Sequence, residues 1–171
     1  RNLVAGTASV TGEEFFPALV RYVAAALNVR YAYVAEFDNN RYTRAHMTAF
    51  WANDKLINNY SYQLKGTPCV DVLKQKFMYC QQGVQKQYPA REWLRQANIE
   101  GYAGVTLTAP DGTVLGLLAV MDGKPLADQA RTQPIMQVFA ARAATEILRL
   151  RAEVKLQESE ARFAGIVEMA S

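Results

Sequence analysis

Two cysteines and one histidine are the side chains best equipped here for covalent, redox or metal chemistry, and their surroundings decide how much of it is open to them. Cys69 lies in the stretch YQLKGTPCVDV at 62–72, where the polar turn Lys65-Gly66 runs into Thr67-Pro68 and then Val70, Val72 and Leu73 announce a buried helical face. Thr67 has the type of an N-cap, its hydroxyl accepting from an unpaired amide, and Pro68 at the next position gives up no hydrogen bond. Cys69 is therefore expected in the first turn of a short helix, where free amides and the positive end of the dipole favour an anion and lower a thiol's pKa. Such a place could hold a ligand carboxylate or phosphate, or a thiolate; alternatively the cysteine fills space, as buried free cysteines do. Cys80 is likewise expected in the core. If both flanked one cavity they could form a reversible disulfide or sulfenate sensor.

The lone His46 and two cysteines make no tetrahedral zinc set. On a strand at 42–51, His46 shares one face with Arg44, Thr48 and Phe50, and Thr43, Ala45, Met47, Ala49 and Trp51 share the other. Trp51, Tyr60, Tyr79, Tyr88, Trp93 and Tyr102 could wall a cavity, with tyrosine hydroxyls making directed contacts to a small molecule, or could be ordinary core. Paired carboxylates, a nucleophile elbow and a phosphate-cradling loop are missing; Gly101, Gly104 and Gly116 fall in or beside strands, where they permit close backbone packing.

The elements that must position these residues follow from periodicity. Thr11-Gly12-Glu13-Glu14 is a capping box, and Phe15, Phe16, Leu19, Val20, Val23 and Leu27 follow at helical spacing, which predicts an amphipathic helix over 12–28 bent or delayed by Pro17. Residues 31–38 and 42–51 predict an antiparallel pair joined at Asn39-Asn40. Between 52 and 98 lie a short strand near 60–64, the helix from Thr67, a short segment at 77–80 and a helix over about 90–97. The strands 102–108 and 114–121, joined by Pro110-Asp111-Gly112, are apolar on both faces and must be central and covered. From Thr132 onward Met136, Ala140, Ala143, Ile147, Leu150, Val154, Gln157 and Ala161 recur at steps of four and three, a heptad seam. Its first part should pack on the sheet. Beyond about Arg149 it should find a partner, most simply a second copy, so Ile147, Leu150, Val154 and Ala161 are the candidate dimer residues.

A chain of 171 residues, 50% hydrophobic, fits one domain with a sizeable core and an appendage. Lys and Arg number 19 against 16 Asp and Glu and are scattered singly, so no nucleic-acid footprint is visible. The longest apolar run, VLGLLAVM at 114–121, is far short of the ~18 residues of a membrane span. Two cysteines are too few for a disulfide scaffold, so a reducing cytoplasm is expected. No signal pattern follows Arg1, and the missing initial Met and the abrupt end at Ser171 suggest a piece of a longer chain.

Specific phrases sharpen this outline. Y-x-L-x-G-T-P-C at 62–69, Gly83-Val84, Tyr102-Ala103-Gly104-Val105, DGTVLGLLAV at 111–120 and Asp122-Gly123-Lys124-Pro125-Leu126 resemble the GAF domains of bacterial histidine kinases and diguanylate cyclases, over roughly residues 9–150. LQESEARFAGIVEMA at 156–170 is similar to the opening of a PAS domain. The resemblance implies an α+β fold, an antiparallel sheet with helices on one face, a loop and helix insert on the other and a long C-terminal helix. It divides the chain into an N-terminal linker (1–8), a GAF domain (9–150), and a signalling helix with the beginning of a PAS domain (151–171). It further implies a regulatory, non-enzymatic, homodimeric sensor module feeding PAS and output domains in the same chain, with no nucleic-acid partner. The ligand is an unidentified small molecule, and Thr67, Cys69, Tyr79, Cys80, Tyr88, Trp93, Tyr102 and His46 are its candidate contacts. Asn53-Asp54-Lys55 is a poor echo of the family's cyclic-nucleotide signature, no cysteine adjoins a histidine as bilin attachment needs, and haem would rest on His46 alone. Two alternatives stand beside this expectation: a spacer that only dimerises, and a thiol redox sensor using Cys69 and Cys80.

Overall fold

The structure, a computed structural model, describes residues 12–38, 41–57 and 60–170. A 3-10 turn at Gly12–Glu14 leads into helix α1 (Phe15–Leu27), whose Phe15, Phe16, Leu19, Val20, Val23 and Leu27 are all buried, as the spacing requires. Thr11 of the expected capping box lies outside the described residues, and Glu14 holds the N-cap position with no side-chain bond. The helix thus begins later than the box implies. Pro17 is its third residue, in the turn whose amides have no intrahelical acceptor, so the ring is accommodated.

Seven strands form one sheet: β1 (Tyr31–Phe37), β2 (Arg44–Ala52), β3 (Lys55–Ile57), β4 (Ser61–Gln63), β5 (Phe77–Cys80), β6 (Gly101–Thr108) and β7 (Val114–Asp122). Their order is β3-β2-β1-β7-β6-β5, with β4 also paired to β2, and all neighbours are antiparallel. The hairpin between β1 and β2 forms at the expected place, although Asn39 and Asn40 lie outside the described residues. Gly112, at φ +92°, turns β6 into β7, and Asp111 accepts the Thr113 amide at 2.9 Å. At Gly116 a Cβ would stand 2.0 Å from the Ala35 carbonyl oxygen, so only glycine lets β7 lie against β1 there.

The expected alternation along β2 fails at one point, and the failure shapes the site. Val34 pairs with Ala49 but Ala35 pairs with Met47, leaving Thr48 as an extra residue in a β-bulge. Ala45 and Met47 therefore face one side of the sheet while Ala49 and Trp51 face the other, and Phe50 joins the Met47 side. Period two, applied without a break, had separated Met47 from Phe50.

The sheet divides two cores. On one side α1 and the first half of helix α5 (Gln129–Ala170) cover Ala32, Val34, Val105, Leu118 and Val120 with Met136, Phe139, Ala140, Ala143 and Ile147. On the other, the insert carries helices α2 (Cys69–Gln75), α3 (Val84–Gln87) and α4 (Glu92–Gln96) over a face rich in tyrosine, methionine and cysteine. Strand β3 and helix α3 were absent from the expected elements; both are too short to show a period. At 42 residues and ~1.5 Å per residue, α5 is about 63 Å long, and every residue from Arg151 to Met169 is exposed. Its seam is buried at Ile147, half-buried at Leu150 and open at Val154 and Ala161. Among the described residues no helix is long and apolar enough to cross a membrane.

Candidate functional site

The turn before α2 is built differently from the cap its sequence suggests. Pro68, not Thr67, occupies the N-cap, and the Thr67 hydroxyl donates to the Leu64 carbonyl at 2.6 Å instead of accepting a helix amide. A back-bond from the hydroxyl to the carbonyl three residues earlier has outcompeted the cap. The result is that Cys69, 1% exposed, is driven into the sheet side of the insert. Its Sγ lies 3.2 Å from Tyr62 Oη, 3.4 Å from Tyr33 Oη and 3.8 Å from Tyr102 Oη, and Tyr33 Oη is 3.2 Å from Tyr102 Oη. β4, β1 and β6 each contribute one phenol to this cluster. Burial, then the neighbouring Cys69, pushes the Tyr33 and Tyr102 hydroxyls up; burial, then Tyr33, does the same for Tyr62. The three stay neutral at physiological pH. Cys69 is thus surrounded by phenols, while Lys65, the cation nearest in sequence, is exposed.

This cluster is the floor of a cavity of about 170 Å³. Met47 and Phe50, brought to one side by the bulge, form a wall with Trp93 and Leu94. The rings stand edge to face: Tyr33 to Phe50 at 5.8 Å and 78°, Phe50 to Trp93 at 5.9 Å and 65°, with Tyr31 behind Trp93 at 5.5 Å and 85°. At the mouth are the exposed Ile57 and Tyr60 and the half-buried Arg91. The Arg91 Nη2 donates to Tyr60 Oη at 3.2 Å, and its guanidinium lies 5.3 Å from the Tyr62 ring centre. An apolar chamber with hydroxyls at its base and one cation at its opening can take up a small organic molecule and orient it.

Of the eight residues proposed from sequence, Thr67, Cys69, Trp93 and Tyr102 meet at this cavity and four do not. Tyr79 points to the opposite side of the sheet and donates its hydroxyl to the Ala127 carbonyl. Cys80 is buried beside the Gln82 carbonyl, 3.2 Å from its Sγ, and burial pushes its thiol up. Both cysteines are free, and no hydrogen bond joins them. Tyr88 donates to the Asp71 carboxylate, tying the end of α3 to α2; burial and then that carboxylate push the phenol up. His46 is exposed on β2, with Nδ1 3.0 Å from Ser61 Oγ. Sequence reasoning missed Tyr33, Met47, Phe50, Tyr62 and Arg91. Tyr33 was hidden because β1 is apolar on both faces, and Arg91 because nothing in a loop's sequence says which way it turns.

A sheet backed by an exit helix and roofed on its other face over a tyrosine-floored cavity defines a receptor-like α+β module. A family model for the GAF domain matches residues 11–147, and the chain belongs to that family. GAF domains are sensory or regulatory domains of signalling proteins. Among solved structures the chain is similar to the GAF domain of a phosphoenolpyruvate-protein phosphotransferase from Coxiella burnetii, at 14% identity and TM-score 0.67, over 88% of this chain and 90% of that one. A domain of a protein described as a two-component sensor histidine kinase from Sinorhizobium meliloti 1021 matches at 16% identity and TM-score 0.64, over 87% and 99%. The chromophore-binding domain of Stigmatella aurantiaca phytochrome P1 matches at 10% identity and TM-score 0.65, over 84% of this chain and 56% of that one. At such identities the likeness concerns the fold. No curated protein matches the sequence.

Proposed function

We propose that this GAF domain is a regulatory, non-catalytic sensor of a small molecule in a bacterial signal-transduction protein of the histidine kinase or diguanylate cyclase type. It works in the cytoplasm as a homodimer and passes its signal through α5 toward a PAS domain whose opening is residues 156–170. The observation that carries this reading is the placing of the cavity and the outgoing helix on opposite faces of the same three strands. Tyr33 of β1, Tyr102 of β6 and Met121 of β7 border the cavity, while Ala32, Val105 and Val120 of those strands pack in the core beneath α5. A ligand that differs in affinity for two arrangements of the insert biases them, and a shift of these strands is felt directly under the root of the helix. An open cavity favours sensing over a spacer with a filled interior.

Native mass spectrometry of protein purified from its own host tests this. The expected result is a dimer carrying a retained small molecule that a Met47→Trp variant, which fills the cavity, no longer carries. A ligand retained equally by both proteins would overturn the assignment of the cavity.

A further inference from the structure

We propose that the ligand of this cavity is a single-ring aromatic monocarboxylate, with its ring on the tyrosine floor and its carboxylate held by Arg91. This rests on the sensing reading above and assigns the chemistry of that site.

Volume sets the size. A cavity of about 150 Å³ admits one benzene ring, and this one, at about 170 Å³, leaves room for a ring with a short substituent. The edge-to-face placing of Tyr33, Phe50 and Trp93 leaves ring faces and edges available, which favours a flat aromatic guest over a branched aliphatic one.

Polarity sets the orientation. Tyr33, Tyr62, Tyr102 and Cys69 bond to one another, and among the described residues no buried side-chain nitrogen or oxygen lacks a partner. The floor therefore asks for no charged group, and a carboxylate driven onto it would lose its water and have to break those bonds to gain donors. The charged end of a guest belongs at the mouth.

Charge sets the sign. Arg91 is, among the described residues, the one charged side chain lining the cavity and no acid lines it, so a cationic guest would find repulsion. Among the described residues Arg91 makes no ion pair; its contacts are Tyr60 Oη and the rings of Tyr60 and Tyr62. A guanidinium laid on aromatic faces is oriented while its remaining N–H donors stay free for the forked bond to a carboxylate. One cation matches one negative charge. A dianion such as a phosphate monoester would find only one of its two charges matched by a lining side chain.

Calorimetric titration of the full chain with phenylacetate and with its neutral isostere phenylacetamide tests the assignment. The expected result is that phenylacetate binds at least about tenfold more tightly, a difference worth ~1.4 kcal/mol. Arg91→Gln removes the difference, and Arg91→Lys, which keeps the charge without the fork, retains part of it. Equal binding of the two probes to the unmodified protein, or a preference unchanged in Arg91→Gln, overturns the carboxylate assignment and leaves the cavity a sensor of neutral guests. Failure of both probes to bind overturns the single-ring aromatic assignment, whereas the sensing reading is decided by the small molecule retained in native mass spectrometry. The comparison of the two probes needs no variant, so it holds even where a substitution at Arg91 disturbs folding.

Discussion

The two faces of one sheet have been put to different uses. Beneath α1 and α5 the buried side chains are mostly aliphatic or phenylalanine and interlock, with Phe15, Leu19, Val105, Leu118 and Phe139 at 0–6% exposure. Under the insert the same sheet presents tyrosines and methionines and α2 adds Cys69, with their polar atoms gathered at the base of an opening. Packing to crystal density is what stabilises a core, and it leaves nothing to respond. The insert side gives up some of that contact for room, and its phenols and thiol can adjust to a guest. Under the proposed function stability and sensing are separated by the thickness of a sheet, and substitutions should divide the same way.

The largest effect belongs to the packed face. Phe139→Ala deletes a ring that is 1% exposed between helix and sheet, and should cost about 3–5 kcal/mol in urea unfolding. Met47→Ala, which already borders an opening, should fall near the bottom of the range for such truncations, about 2 kcal/mol. Equal costs would mean that the cavity side is packed as tightly as the helix side, and the contrast would be lost.

Next comes Glu146, the buried charge on the helix side. Its carboxylate accepts the Gly12 amide at 2.8 Å and both Nε and Nη2 of Arg149 at 3.1 and 2.7 Å, joining the entry of the domain to the root of the outgoing helix. The bonds from Arg149 hold its pKa below the usual glutamate range. A carboxylate whose folded pKa is depressed adds stability above its unfolded pKa and loses it as pH falls through the folded one. Glu146→Gln should therefore cost about 1–2 kcal/mol at neutral pH. The variant and the unmodified protein should converge in acid, read from urea midpoints across the pH range. A constant gap at every pH would show that shape matters there and charge does not.

Smaller again is Tyr33→Phe, which removes the hydroxyl shared by Cys69 and Tyr102 while keeping the ring against Phe50. About 1 kcal/mol is expected, since both former partners retain other contacts: Cys69 with Tyr62 and Tyr102 with Cys69. A cost of about 3 kcal/mol or more would make this floor a structural keystone and not a surface that adapts to a guest.

The division between the faces also separates what could be read in the residues from what could not. α1 and the first half of α5 were legible because a 3.6 period persists over many turns, and β6 and β7 because a strong turn signal stands between two apolar runs. The bounds of Phe77–Cys80 were legible to the residue but its type was not, since four residues show too little of a period. The cavity was half legible. Cys69, Trp93 and Tyr102 could be nominated from their types, but their meeting with Tyr33 and Tyr62 depends on strands far apart in sequence. The bulge at Thr48 has no signature in RAHMTAFWA, and it decides that Met47 and Phe50 share a face. At Thr67 two local hydrogen bonds competed, to a helix amide or back to Leu64, and the tertiary position of the loop chose the second.

The smallest effect on folding and the largest on assembly should fall together, beyond Leu150. Val154, Phe163, Ile166 and Val167 are 52–69% exposed on a helix that has already left the sheet. Exposed apolar residues contribute little to the folding of a single chain, so Val154→Asp should change its unfolding free energy by no more than about 0.5 kcal/mol. If the seam through Leu150, Val154 and Ala161 is where two copies meet, an aspartate there places like charges against each other in an apolar interface. Sedimentation velocity across a concentration series should then show the unmodified chain associating and Val154→Asp remaining a monomer. Monomers in both cases would leave α5 a solitary rod, and a rotation at its root would have no second helix to act against.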